Sequence, residues 1–143
     1  MLKIRQCRTK DFDEVVLLLR QLWQDKPLDL ESLRTVFNRA LVSDSKTYLC
    51  ATNGKRVIGF GSFTMKNNLW PEGPIGYVDE LVVDSEFRSK GIGAQLLKRL
   101  VALARQKSCC RIELDSAFYR KESHRFYERH GFKRRAYVFS KLL

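Results

Sequence analysis

One stretch constrains this chain more than any other. A β-branched apolar segment, Ile75 to Val83, passes through Asp84-Ser-Glu-Phe-Arg-Ser-Lys-Gly-Ile-Gly93 into a segment that carries Ile92, Leu96, Leu97, Leu100, Leu103 and Ala104 at helical spacing. The pattern predicts a strand over 75–83 and a long amphipathic helix over 91–107. A helix start leaves backbone N–H groups unpaired at the positive end of the helix dipole. Gly91 and Gly93 remove the side chains that would hold an anion away, while Arg88 and Lys90 add charge. The unit is therefore suited to phosphate. Only one residue separates its two glycines and no Lys-Ser/Thr follows, so it is neither the dinucleotide fingerprint nor the Walker A loop.

The remaining elements can be placed around this unit. Leu2 to Cys7 alternates like a strand, and Asp11 can cap a helix with Val15, Val16, Leu18, Leu19 and Leu22 on one face. A second helix is expected over Leu30–Leu41. Asn53-Gly54 joins two strand-like runs, Thr47 to Thr52 and Lys55 to Thr64, as a tight hairpin. Lys66 to Pro74 reads as an exposed loop, Arg111 to Leu114 as a short strand and Arg120 to His130 as a helix closed by Gly131. Phe132 to Leu143 alternates as a last strand or pair of strands. With 143 residues and 44% hydrophobic content, residues 1–143 form one domain with one core.

Composition narrows the setting. No apolar run is long enough to span a bilayer, so a cytoplasmic protein without a membrane partner is expected. Cys7, Cys50, Cys109 and Cys110 have no C-x-x-C spacing, and neither His124 nor His130 lies at zinc-finger distance from a cysteine pair. Buried reduced thiols and no metal are expected. The formal charge of +11 admits nucleic acid, a membrane surface or a phosphorylated small molecule as partner.

Arg-x-x-Gly-x-Gly after an apolar strand ending Leu-Val-Val-Asp resembles the coenzyme-A signature of the GNAT superfamily of N-acetyltransferases. Ser123-His-Arg-Phe-Tyr-Glu-Arg-His-Gly-Phe132 is similar to that family's second signature. The resemblance covers nearly the whole chain. It implies an α/β (α+β) GNAT fold in the order β-α-α-β-β-β-α-β-α-β, whose central, mixed and mostly antiparallel twisted sheet has six to seven strands. About four helices flank this sheet, which splays between its fourth and fifth strands. It further implies acetyl-CoA as cosubstrate. The splayed strand, here Leu81, Val82 and Val83, would pair with the pantetheine arm. The turn Arg88, Ser89, Lys90, Gly91, Ile92, Gly93 and Ala94 would hold the pyrophosphate. Many relatives carry Asn and Ala where this chain has Arg120 and Ser123, which alters the contacts from that helix; Arg120 can still reach a phosphate. Tyr127 occupies the family's general-acid position, and the Val82 amide would serve the oxyanion.

An amine attacks a thioester only when neutral, so an ammonium ion must first lose a proton, and a nearby carboxylate can take it. Asp79 and Glu80 lie on the cofactor strand. Alternation sends adjacent strand residues to opposite faces, so one of the two is expected to face the substrate, with Glu80 favoured and Asp79 also a candidate. A phenol beside the departing sulfur can protonate it, which suits Tyr127. His124 and His130 read as surface imidazoles. Trp23 and Trp70 either line the acceptor pocket or pack.

Within the superfamily, the run from Tyr77 to Leu143 most resembles small bacterial aminoalkylphosphonate N-acetyltransferases and aminoglycoside-type or amino-sugar enzymes. The expected acceptor is a small primary amine of those classes or a polyamine. A protein lysine or N-terminal amine is the alternative enzyme reading. A basic nucleic-acid-binding module is the non-enzyme reading, although no nucleic-acid motif accompanies the charge, so no specific nucleic-acid partner is expected. The apolar end Tyr137-Val-Phe-Ser-Lys-Leu-Leu143 would allow a homodimer.

Overall fold

In a computed structural model describing residues 1–143, the elements follow in the order β1 (Leu2–Gln6), α1 (Phe12–Leu22), α2 (Leu30–Leu41), β2 (Lys46–Asn53), β3 (Arg56–Asn68), β4 (Gly73–Val83), α3 (Ile92–Gln106), β5 (Ile112–Leu114) and α4 (Lys121–Arg129). The strands lie side by side in chain order as one five-stranded sheet. β1 to β4 pair antiparallel, and β5 pairs parallel with β4. The class is the expected α/β mixture of a mostly antiparallel sheet and four helices.

Alternation along the strands sorts apolar side chains onto two faces. One face carries Cys50, Phe60 and Val82 beneath α1 and α2. The aromatic chain Phe12, Phe37, Tyr48 and Phe60 runs through it, with ring centroids 5.3–5.5 Å apart. The other face carries Leu49, Ala51, Ile58, Phe63 and Val78 against Leu96, Leu97 and Leu100 of α3. Asn53 and Arg56 close the hairpin around Gly54, whose φ of +63° is open to glycine at no steric cost.

Four expectations need correction. The strands β3 and β4 extend into the expected loop and pair to Asn68 and Gly73, leaving a tip of residues 69–72, because each supplies the other's backbone partners. Asp11 precedes α1 without capping it; its buried carboxylate instead takes both Arg5 guanidinium nitrogens, at 2.8 and 3.0 Å, and the Arg8 N–H at 2.7 Å. Cys7 and Cys50 are joined as a disulfide rather than held as thiols: the Cys7 N–H bonds the Tyr48 carbonyl, which brings the Cα atoms to 5.4 Å, inside the range a disulfide spans. Cys109 and Cys110 stay free.

The fourth correction is the C-terminal end. No strand forms after α4, so the sheet has five strands rather than six or seven. The last backbone hydrogen bond belongs to the Phe132 N–H, and beyond it no neighbouring strand supplies a ladder. Tyr137, Val138, Phe139, Leu142 and Leu143 are left exposed. No helix is long and apolar enough to cross a membrane.

The Arg5–Asp11 pair ties β1 to the start of α1. Arg5 holds the Asp11 carboxyl below the ordinary aspartate range, so the pair's stabilisation is present above the unfolded carboxyl's pKa and lost as pH falls through the lower folded value. Asp11→Asn should cost about 2 kcal/mol at neutral pH by urea unfolding, and the loss should shrink in acid.

Candidate active site

The carboxylates Asp79 and Glu80 stand on the same side of the sheet, against the expectation from alternation. The physical reason is a bulge. Gly61 pairs with Leu81 and Phe63 with Val78, so Asp79 and Glu80 together oppose the single residue Ser62. An extra residue in one strand re-aims side chains that the pleat would separate.

Both carboxylates meet hydroxyls from one face of β3. Ser62 Oγ donates to Glu80 Oε1 at 2.5 Å and accepts from the Glu80 N–H at 2.7 Å, so this hydroxyl also fastens the bulged backbone. Thr64 Oγ1 donates to Asp79 Oδ2 and accepts from Lys46 Nζ at 3.0 Å. Lys46 is the register partner of Thr64, and Tyr48 that of Ser62. Two rows therefore cross the sheet: Lys46, Thr64, Asp79 and Tyr48, Ser62, Glu80.

The electrostatics of the rows differ. Burial pushes the Glu80 carboxyl above the ordinary glutamate range, the Ser62 hydrogen bond opposes the shift, and the Asp79 charge adds to it. Burial, with Glu80 and Asp79 nearby, raises Tyr48 to about 12. Tyr77 is likewise raised to about 12 by burial and by the Asp115 carboxylate just past β5. Asp115 also acts on Glu80, so three carboxylates share this end of the sheet with Lys46 and with Lys66, whose Nζ lies 4.0 Å from the centre of the Tyr77 ring.

Sequence reasoning missed Lys46, Tyr48, Ser62, Thr64, Tyr77 and Asp115. A signal existed for Ser62: a hydroxyl with 0% exposure, midway along an apolar strand, must have a buried partner.

β5 pairs with β4 only from Gly76 to Val78. Past Val78, β4 runs on without β5, and Leu81, Val82 and Val83 border an open gap on that side. The sheet thus splays between its fourth and fifth strands. At the far end, Arg56 binds Asp84 and Glu86, and the Asp84 N–H bonds the Ile58 carbonyl, fixing where the chain leaves the strand.

The turn that follows is pre-formed. Ser89 and Gly91 both have positive φ, +62° and +81°, a conformation costly for serine and free for glycine. Alternating backbone of this kind aims successive N–H groups into one concavity. α2 is capped by Asp29, whereas α3 begins without a side-chain cap and without an acidic residue in its first turn. Arg88 Nε donates to the Val83 carbonyl at 3.1 Å, and neither Arg88 nor Lys90 is ion-paired. A Cβ at Gly91 would meet nothing within 4 Å, so the space above the turn is open. These residues fit a pyrophosphate: uncapped amides, two free cations and room. Gly93 lies farther in, where a Cβ would stand 3.7 Å from both Val83 and Phe126.

α4 closes the gap from below. Tyr127 packs between Phe126 and Phe132, with centroids 5.3 and 5.8 Å away, and its burial raises the phenol while the Arg120 charge opposes the rise. Arg120 donates to the Leu22 carbonyl at the end of α1 at 2.8 Å. Ser123 is half-buried one turn along α4. The two histidines bind backbone carbonyls, His124 that of Ala117 and His130 that of Phe126. Trp23 packs against the α1–α2 cluster, and Trp70 lies between Arg111 and Arg135 at the β3–β4 tip. No group of three or more His, Cys, Asp or Glu side chains is arranged to hold a metal ion.

Comparison with known proteins agrees with this geometry. Residues 5–132 match the acetyltransferase (GNAT) family. The aminoalkylphosphonate N-acetyltransferase of Salmonella typhimurium is 33% identical over 141 residues, covering 99% of this chain and 91% of that protein. The glucosamine 6-phosphate N-acetyltransferase of Trypanosoma brucei brucei is 28% identical over 136 residues, covering 92% of this chain and 89% of that protein. A solved aminoglycoside N-acetyltransferase in complex with CoA shares the fold with a TM-score of 0.87 at 20% identity, covering 100% of this chain and 95% of that one. The uncapped basic turn, the splayed strand beside it and the match over nearly the whole length carry one conclusion: the chain belongs to the acetyltransferase (GNAT) family and is an N-acetyltransferase that uses acetyl-CoA.

Proposed function

We propose that the acceptor is a small molecule with a primary amine, of the aminoalkylphosphonate, amino-sugar, aminoglycoside or polyamine class, acetylated in the cytoplasm beside Glu80 and Asp79. The observation that carries this reading is the β4 bulge, which gathers two carboxylates on one face, with Asp115 acting on the same group. A cationic amine is attracted there, and a carboxylate is within reach of its proton.

When bound, acetyl-CoA supplies an acyl group activated as a thioester. Leu81 to Val83 hold its arm along the gap, and Arg88 to Ala94 hold its pyrophosphate through backbone N–H groups and two cations. Ser123 and Arg120 border the same gap from α4, and the Leu81 N–H, which points away from β3, is the donor toward the thioester oxygen, because the Val82 N–H expected for that role faces Phe60 in the ladder. Glu80 takes the proton from the acceptor ammonium. Its raised pKa makes it a stronger base than an ordinary carboxylate. Asp79, fixed by Thr64, stays as the negative charge that draws the cation in. Burial keeps the Tyr127 phenol protonated at neutral pH, so its proton is ready for the departing sulfur.

The unpaired C-terminal end supports a homodimer. Phe139 and Leu142 are 93% and 99% exposed, Phe118 and Tyr119 are exposed as well, and Phe118 meets Tyr137 with tilted rings whose centroids are 6.2 Å apart. Exposed apolar side chains on a segment with no strand partner suit a second copy.

On a panel of aminoalkylphosphonates, amino sugars, aminoglycosides and polyamines, thiol release from acetyl-CoA should respond to at least one class; activity restricted to peptide amines would reject the small-molecule reading. Glu80→Gln should lower kcat by about 10²-fold or more and abolish the acid limb of the pH–rate profile, whereas Asp79→Asn should keep that limb and move it to lower pH. The first variant should also melt higher at pH 7: a carboxyl whose pKa is raised by folding destabilises the fold as pH rises through that value, and glutamine has no charge to bury. Light scattering should give a dimer for the full chain and a monomer once residues 137–143 are removed.

A further inference from the structure

The sheet face that carries Asp79 and Glu80 continues toward the β3–β4 tip, and its charge changes sign on the way. Phe63, Met65, Val78 and Ile112 pack toward α3. Alternation therefore sends Thr64, Lys66, Ile75, Tyr77 and Glu113 to the opposite face, the one shared with the two carboxylates. The register orders them along it: Lys66 lies beside Ile75, and Thr64 beside Tyr77 and Glu113. Arg111 is level with the first of these rows, since its carbonyl accepts from the Gly76 N–H at 2.9 Å. Asp79 and Glu80 come two and three residues after Tyr77.

Cations outnumber carboxylates around the Tyr77 row. Arg135 donates to Glu113 Oε2 through Nε and Nη2, at 2.9 and 2.8 Å, and Arg111 Nε stands 3.5 Å from the same oxygen. One carboxylate thus serves two guanidiniums and leaves donors of both unused. Lys66 makes no ion pair, and its Nζ stands over the Tyr77 ring. Trp70 lies between the arginines, 4.9 and 5.1 Å from them, and with Arg111, Arg135, Glu113, Asn68 and Ile75 it lines an open cleft of about 180 Å³.

We propose that Lys66, Arg111 and Arg135 form an anion subsite of the acceptor pocket, which takes a phosphate or phosphonate group of the acceptor while its ammonium lies at Asp79 and Glu80. The inference rests on the reading of those carboxylates as the amine's site, and it narrows the acceptor to amino phosphonates and amino-sugar phosphates. Guanidinium forks and a lysine are the groups that suit a tetrahedral oxyanion. The Tyr77 row lies about 7 Å from Asp79 along the strand, a distance that a chain of about five or six single bonds covers. A polyamine would set a second cation against this surplus of positive charge, and an aminoglycoside has no anion to offer it. An acceptor with both charges has one orientation on β4, its anion toward the tip and its amine toward Leu81.

The test measures thiol release from acetyl-CoA with amines paired by the presence of the anion: glucosamine 6-phosphate against glucosamine, and 3-aminopropylphosphonate against propylamine. The wild type should prefer the anionic member of at least one pair by about 30-fold or more in kcat/KM. Lys66→Gln combined with Arg135→Gln should bring that preference close to parity, with the loss falling on KM, and Arg135→Lys alone should keep most of it. Methylphosphonate, which has no amine, gives a readout without turnover. It should shift the Trp70 indole N–H signal in NMR, assigned with Trp70→Phe, and the double variant should need about 30-fold more of it. A wild type that treats both members of each pair within threefold, an undiminished preference in the double variant, or an unmoved Trp70 signal would overturn the proposal. Failure of the underlying reading looks different: methylphosphonate then shifts Trp70 while no amine of either pair is acetylated. Should the double variant not fold, R135Q alone decides by the same ratio.

Discussion

The bulge at Asp79 and Glu80 is the constraint on which the acceptor end of the site depends. A regular β4 would send one of these carboxylates into the α3 side of the core, between Phe63 and Val78, where no hydroxyl waits for it. With two residues opposite Ser62, both turn to the α1–α2 face and both find hydroxyls. Ser62 does two things at once: it receives the N–H that the bulge takes out of the ladder and it donates to the carboxylate of the same residue. The distortion is therefore satisfied in its hydrogen bonding, and the pleat resumes on either side with Val78 and Val82 buried on opposite faces.

The same strand governs the donor end by what it lacks. β5 is three residues long and leaves β4 after Val78. The backbone from Leu81 to Val83 consequently has a ladder neighbour only on the β3 side, and the helix after it begins with uncapped amides. One edge of one strand thus passes from carboxylates to backbone without a β5 partner to a basic, uncapped turn within about fifteen residues of sequence. The glycine turn is rigid in a way sequence alone only hints at: Ser89, which has a Cβ, shares the positive φ of Gly91, so the turn is held by its surroundings and not merely permitted by glycine.

Much of this was legible in the residues. Periodicity located α1, α2 and α3 because each puts an apolar stripe against the sheet, Gly131 marked the end of α4, and the Gly91–Gly93 spacing marked the turn before α3. The tip of the β3–β4 hairpin was obscured because Lys66 to Asn68 is polar; those residues stay in the ladder through backbone pairing, which composition does not report. The shared face of Asp79 and Glu80 could not be read, because a bulge is a property of two strands in register and one strand's alternation holds no trace of it. The C-terminal end misled for a related reason. Alternating Tyr137, Val138 and Phe139 has the composition of a strand, but a strand also needs a neighbour, and none in this chain pairs with it. The disulfide between Cys7 and Cys50 escaped because their separation of 43 residues becomes contact only through the pairing of β1 with β2.

Charge completes the argument. The chain carries +11 overall, which taken alone favours anionic partners of any kind. The chain distributes that charge unevenly: Arg88 and Lys90 make no ion pair at the turn, while Asp79, Glu80 and Asp115 outnumber Lys46 and Lys66 at the proposed acceptor end. A polyanionic donor and a cationic acceptor are therefore drawn to opposite ends of one strand. In the proposed reading neither substrate is favoured in the other's place. The excess of positive charge over the rest of the surface leaves this local polarity intact, because at physiological ionic strength charges beyond about 8 Å are screened and the nearest groups decide. A basic protein can thus gather carboxylates on one face of its sheet, and the proposed acceptor is argued from the sign of the charge at that face rather than from the sum over the chain.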